Sequence, residues 1–204
     1  MFYKLVHFLF TIYIKIFYRW RVYGRNHIPK EGPFIICSNH LKWIDPVVVG
    51  CAAPRRLKVH FMAKQELFKS RFVAYFLRKV GAYPVNRQIA DSRAIRHSFQ
   101  LLSEKRVLGL FPEGSRSKTG LLQKAQNGTA LIASRDCVPI VPVAIEGPYR
   151  IFRPLTVRIG PPFRLDKLEY TSRGQKKEML EQMSETIMGQ IKNLISSGDN
   201  IDLE

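Results

Sequence analysis

Apolar positions along the chain follow two rhythms. Short greasy or alternating runs at 33–37, 57–63, 107–111, 138–145 and 155–160 predict strands, with shorter strand-like pieces at 22–23 and 82–86. Between them, over 46–51, 66–80, 91–102, 127–134 and 175–195, apolar residues return every three or four positions, which predicts helices. Strands alternating with helices predict an α/β fold: a single domain with a mixed, largely parallel central sheet flanked by helices. Proline cannot donate to a sheet ladder, so Pro139 and Pro142 predict an edge or groove-lining strand at 138–145. For the same reason Pro84 places 82–86 at an edge or a strand start.

The first eighteen residues stand apart. They are aromatic and aliphatic except for Lys4, His7, Thr11 and Lys15, whose spacing puts them in one narrow polar stripe of a helix, with Arg19 at its edge. Lysines are costly inside a bilayer, whereas a helix lying in the headgroup plane keeps them wet and its greasy face in lipid. The expected organisation is an amphipathic membrane-associating helix over 1–21 and a catalytic domain over 22–204. Phe2, Phe8, Phe10, Phe17 and Trp20 are the expected lipid contacts. An ordinary helix buried against the domain is the competing reading. No small-residue cleavage pattern follows the segment, which argues against a secretory signal.

The net charge of +17 adds an attraction for anionic surfaces, nucleic acid, lipid or acidic protein, without choosing among them. Aromatics are not interleaved with basic residues on a strand face but gather in the N-terminal helix, so a nucleic-acid-binding module is disfavoured. Cys37, Cys51 and Cys137 are odd in number, far apart and set among aliphatics. They read as reduced core thiols rather than a disulfide frame or a zinc site, which implies the cytoplasmic side.

Chemistry-bearing residues cluster where greasy runs end. After 33–37 come Ser38, Asn39 and His40, and five residues beyond His40 stands Asp45, followed by Pro46. Five residues on one continuous helix turn through about 140°, so the two side chains meet only if the chain bends between them. Asp45-Pro46 supplies a bend, with the proline at the start of a new helix and Asp45 an N-cap by position. The sharper reading adds a hydrogen bond from Asp45 to one imidazole nitrogen, leaving the other to take a proton from a hydroxyl. The run 107–111 opens similarly into Pro112-Glu113-Gly114-Ser115-Arg116-Ser117. There a glycine lets the backbone come close to a ligand and an arginine can grip a phosphate. Neither a dinucleotide-binding glycine pattern nor a phosphate loop is present. Lys64 also arrives at a strand end, and Arg87 follows the piece at 82–86.

Four stretches in this order, Asn39-His40 with Asp45, Gly81 to Arg87, Phe111 to Ser117 and Val138 to Val143, make the chain resemble the glycerolipid acyltransferases. The likeness is greatest to bacterial lysophosphatidate (1-acylglycerol-3-phosphate) acyltransferases. Ser115 stands where threonine is commoner and Asn86 where aspartate is frequent. The resemblance implies that His40, oriented by Asp45, deprotonates the sn-2 hydroxyl of lysophosphatidate as it attacks an acyl thioester, forming phosphatidate in phospholipid biosynthesis. It implies that Lys64, Arg87, Glu113, Gly114 and Arg116 hold the acceptor phosphate, with Glu113 alternatively positioning the glycerol or an arginine, and that Asn39 and Ser115 support the site. No metal or cofactor is expected beyond acyl-CoA or acyl-acyl carrier protein as co-substrate. The expected partners are membrane lipid, lysophosphatidate and the acyl donor, with no nucleic acid. The expected location is peripheral or monotopic on the cytoplasmic face of the membrane. A relative acting on another lysophospholipid or other acceptor is the alternative.

Overall fold

Burial on both faces explains the greasiest run. β2 (Phe34–Ser38) lies in the middle of a seven-stranded sheet and none of its five residues is solvent-exposed. A strand covered on both sides must be apolar at every position rather than at alternate ones. The computed structural model describes residues 1–89, 91–117, 119–135 and 137–196. In chain order the other elements are α1 (Phe2–Phe17), β1 (Arg19–Tyr23), α2 (Asp45–Ala52), β3 (Val59–Lys64), α3 (Arg71–Val80), β4 (Tyr83–Val85) and α4 (Ser92–Ser103). They continue with β5 (Val107–Leu110), α5 (Asn127–Arg135), β6 (Ile140–Glu146), β7 (Pro154–Ile159) and α6 (Arg173–Ser196). The strand order is β1-β7-β6-β2-β5-β3-β4, and β6 with β7 is the antiparallel pair in an otherwise parallel ladder.

The sheet divides two cores. Phe34 and Ile36 of β2 face a layer that includes Ile14 of α1 and Val48, Val49 and Cys51 of α2. Ile35 and Cys37 face the other way, against Leu101 and Leu102 of α4, Ala130 and Ile132 of α5 and Ile187 and Ile191 of α6. Gly109 of β5 is required by the first layer, because a Cβ there would lie 2.1 Å from the Phe61 ring. Gly81 closes α3 in the left-handed region at φ 100°, and Asp91, expected as the first residue of a helix over 91–102, instead caps α4 through the Arg93 and Ala94 amides.

Several expectations need correction. The predicted helix over 66–80 is a 3-10 turn, Gln65–Phe68, followed by α3. β6 is not an edge strand but runs between β2 and β7. Pro142 is tolerated there because its carbonyl accepts from Gly160, one residue past the last pair with β7, so the missing N–H falls where that ladder has ended. The boundary expected after residue 21 falls inside β1, which pairs with β7. Trp20 is therefore a strand residue, half-buried against the core and under the Arg25 guanidinium, rather than part of the helix. Residues 197–204 of the expected domain lie outside those described.

Helix α1 packs on the domain through part of its polar stripe, while most of its apolar face points outward. Its stripe residue His7 is buried and donates from Nε2 to the Ala53 carbonyl at 3.2 Å, while Tyr3 donates to Leu57 at 3.0 Å. Burial holds the His7 imidazole below its ordinary pKa, consistent with a neutral ring. Phe10 packs against the core as well. The outward face carries Phe2, Phe8 and Phe17 together with Leu5, Leu9, Ile12 and Ile16, the last four 38–59% exposed. Lys4 and Lys15 are exposed too. Among the described residues no helix is long and apolar enough to cross a membrane.

Candidate active site

The end of β2 delivers Asn39 and His40 to the carboxyl edge of the sheet, where ligand sites of open α/β sheets form. The strand is fixed to its neighbour by Asn39, whose amide donates to the Ile145 carbonyl at 2.9 Å and accepts from the Ile145 amide at 2.7 Å. A side chain bonded both ways to one backbone residue of β6 leaves little freedom for the residue that follows.

That residue is held from two directions. The His40 amide donates to Glu113 Oε1 at 2.9 Å, and its carbonyl accepts from the Ser117 amide at 2.8 Å. The loop that follows β5 thus closes around the His40 backbone. The imidazole stacks on Phe111 with centroids 4.1 Å apart and planes 20° from parallel. Its Nδ1 lies 2.7 Å from Asp45 Oδ2, and its Nε2 has no hydrogen-bond partner among the described residues.

Asp45 is fully buried and its carboxylate is saturated. Oδ2 accepts from the His40 ring, from Leu41 N at 2.5 Å and from Lys42 N at 2.7 Å, while Oδ1 accepts from the Tyr149 hydroxyl. Ile44, rather than Asp45, occupies the cap of α2, so the carboxylate turns back onto the 41–42 amides instead of forward into the helix. The bend lies in the turn over 42–44, closed by Asp45 N donating to the Lys42 carbonyl at 3.1 Å, and Asp45 is itself the first residue of α2. With Oδ2 accepting, Nδ1 carries the proton and Nε2 keeps its lone pair, the tautomer a base needs.

The basic residues gather on the rim. Partial desolvation, and next to it the repulsion of Arg116, hold the Arg87 guanidinium below its ordinary pKa, with Glu66 opposing. Glu66 in turn pairs with exposed Lys64 at 3.4 Å. Arg116 is exposed and lies one residue from the Ser117 amide that bonds His40. Arg116, Lys64 and Arg87 come at or just past the ends of β5, β3 and β4, which lie in that order to one side of β2, and Ser115 is exposed next to Arg116.

Two expected phosphate contacts are placed otherwise. Glu113 is buried, with Oε1 on His40 N and Oε2 on Gln123 N at 3.1 Å, so both oxygens hold backbone and neither faces an anion. Burial raises its carboxyl pKa, partly offset by those two amides. Gly114 has φ 69°, and the space a Cβ would fill is taken by the Gln126 carboxamide, 2.5 Å away. Its glycine is needed for the turn and for Gln126, not for an open cleft. Reasoning from sequence missed Tyr149 and the stacking role of Phe111. Tyr149 follows the end of β6, which only the strand order brings beside His40; Phe111 could have been found as the aromatic heading its motif.

The Acyltransferase family model matches residues 19–146, more than half of the chain and all of the site except Tyr149. A 1-acyl-sn-glycerol-3-phosphate acyltransferase of Bacillus subtilis is 30% identical over 186 residues, covering 89% of this chain and 90% of that protein. One from Streptococcus pneumoniae is 34% identical over 63% of this chain and 50% of its own length. The crystal structure of the 1-acyl-sn-glycerophosphate acyltransferase of Thermotoga maritima superposes with a TM-score of 0.65 over 92% of this chain and 78% of that one. At 22% identity that match speaks for the fold. Family match, near full-length relative and shared fold coincide, and the chain belongs to the acyltransferase family.

Proposed function

We propose that this protein moves a fatty acyl group from an acyl thioester to the sn-2 hydroxyl of lysophosphatidate, giving phosphatidate. The observation that carries the reading is the 2.7 Å contact between His40 Nδ1 and buried Asp45, held by the loop that also bears Arg116. An alcohol is a poor nucleophile until a base takes its proton, and Nε2 of His40 is the lone pair available for that step. The hydroxyl oxygen attacks the thioester carbonyl as its proton passes to Nε2. The tetrahedral intermediate then collapses, breaking the carbon–sulfur bond and expelling the thiolate, which takes the proton from the imidazolium and leaves as the thiol. No acyl-enzyme and no cofactor enter this route, since a thiolate leaves readily once the alcohol has added.

Arg87 and Arg116, with Lys64 at the margin, suit a phosphate monoester dianion. The Ser117 hydroxyl, buried without a partner among the described residues, is available to the acceptor as well. Glu113 acts on this reading as a brace for the His40 backbone. The exposed apolar face of α1 would rest in the interface where acceptor and product reside, on the cytoplasmic face of the membrane, so long acyl chains need not cross water. The names of the bacterial relatives support the same acceptor.

The test is thiol release by purified protein in anionic vesicles, with acyl-CoA and acyl-acyl carrier protein offered separately and lysophosphatidate compared with monoacylglycerol. Release that depends on lysophosphatidate and yields phosphatidate is expected with at least one donor. Equal release without the phosphate-bearing acceptor would overturn the assignment.

A further inference from the structure

The Asp45 carboxylate has two oxygens with different partners. Oδ2 is occupied by the His40 ring and two backbone amides, whereas the donor on Oδ1 among the described residues is Tyr149. Tyr149 lies in the loop joining β6 to β7, outside the region matched by the family model. This loop holds an unfavourable shape: Tyr149 and Phe152 both have positive φ, 49° and 61°, and Gly147 at φ 131° would drive a Cβ to 2.4 Å from the Pro154 carbonyl. It is pinned at its far end to the start of the chain. Phe152 N donates to Phe17 O at 2.8 Å, Arg19 N donates to Arg153 O at 3.1 Å, and the Tyr18 ring meets the Tyr149 ring edge-on with centroids 6.3 Å apart. Burial and the neighbouring Asp45 charge raise the Tyr149 pKa, which keeps its hydroxyl a donor.

We propose that Tyr149 is a positioning residue for the His40–Asp45 pair, and that the junction of α1 with β1 holds it in place. The hydrogen bond on Oδ1 fixes the rotation of the carboxylate, so that Oδ2 points at Nδ1. It also draws off part of the negative charge and so limits how firmly Asp45 holds the imidazole proton. A link from the exposed apolar helix to the catalytic carboxylate follows from the connectivity, because Phe17 and Tyr18 end α1 and support the tyrosine. The inference deepens the proposed acyl transfer and, where turnover is concerned, rests on it.

Tyr149→Phe keeps the ring and its packing while removing the donor, and two readouts apply. The first needs no substrate: the low-field proton resonance of His40 Nδ1, identified by its loss in His40→Ala, moves further downfield in Tyr149→Phe. The second is thiol release, where kcat falls about tenfold or more, the loss of one hydrogen bond to a charged group. The KM for lysophosphatidate stays within about twofold on the same reasoning, because the acceptor does not touch the tyrosine. The acidic limb of the kcat/KM profile shifts to higher pH. Tyr18→Leu, which removes the supporting ring and leaves the hydroxyl, moves both readouts the same way by less. An unmoved resonance together with an unmoved pH profile would show that Tyr149 only packs, whatever happens to the melting temperature. If wild-type protein does not use lysophosphatidate, the proposed reaction fails while the resonance still decides the role of Tyr149.

Discussion

Asp45 can be replaced in two ways that separate its charge from its place in the fold. The residue is fully buried and its carboxylate accepts four hydrogen bonds. Alanine leaves all four donors without an acceptor, at a cost of roughly 1 kcal/mol each even at the low end, or about 4 kcal/mol in all. Against a typical total stability of about 5–15 kcal/mol, that threatens the fold. Asparagine keeps a carbonyl oxygen for the three donors on Oδ2, and the Tyr149 hydroxyl can turn to accept from the amide. It loses charge assistance but also relieves the burial of a charge, so about 1–2 kcal/mol is the expected loss. Chemically the two converge, since neither leaves a carboxylate to orient and stabilise His40, and kcat should fall by about two to four orders of magnitude. Urea denaturation and steady-state thiol release on both variants give the answer. An asparagine variant with more than about a tenth of wild-type kcat, set against the size of a general-base effect, would refute the assigned role. Equal stability of the two variants would refute the hydrogen-bond accounting.

Three further expectations concern the rim, the helix and an unused histidine. Arg116→Ala and Arg87→Ala should each raise the KM for lysophosphatidate by about 10–100-fold, the worth of one charge-assisted hydrogen bond, and leave the KM for the thioester unchanged; equal effects on both substrates would place these arginines elsewhere. The triple change Leu5→Glu, Leu9→Glu and Ile16→Glu should abolish sedimentation with anionic vesicles while the melting temperature hardly moves, because these side chains are exposed; unchanged sedimentation would remove α1 from lipid binding. His60 is pushed down to about 4, first by burial and then by Lys58 and Arg106, from an ordinary value of 6.5. The unfolded chain therefore takes up a proton that the fold refuses, and stability is full above about pH 6.5 and declines as pH falls toward 4. His60→Gln should flatten that decline in urea titrations, and an unaltered slope would contradict it.

Much of this was readable in the residues because burial leaves a mark. The apolar runs of β2 and β5 and the helical period that ends at Gly81 each report a local constraint, and local constraints survive in sequence. The His40 and Asp45 pairing was readable too, since the two stand five residues apart just after a strand end, although the bend between them comes from the turn over 42–44 rather than from Pro46. What escaped depends on distant partners. Residues 19–21 of β1 read as basic and aromatic anchors, with only 22–23 strand-like, until the pairing with β7, across most of the chain, gives Trp20 a face to cover. The prolines of β6 suggested an edge because nothing local reveals where the β7 ladder stops. A polar stripe on α1 is ambiguous in principle: water, headgroups and the Ala53 carbonyl all satisfy His7, and only packing selected the last. Glu113 looked like a ligand because its motif faces the site, while its oxygens were claimed by two backbone amides.

The role of His40 as the base is open to one decisive comparison. Phosphatidate formation in a single turnover would be timed for wild type and for His40→Ala, with lysophosphatidate binding measured in parallel on both. A rate lower by about a thousandfold at unchanged affinity is expected when the general base is removed. A variant that still makes phosphatidate within about tenfold of the wild-type rate, well inside the range a base supplies, would mean that another group takes the hydroxyl proton.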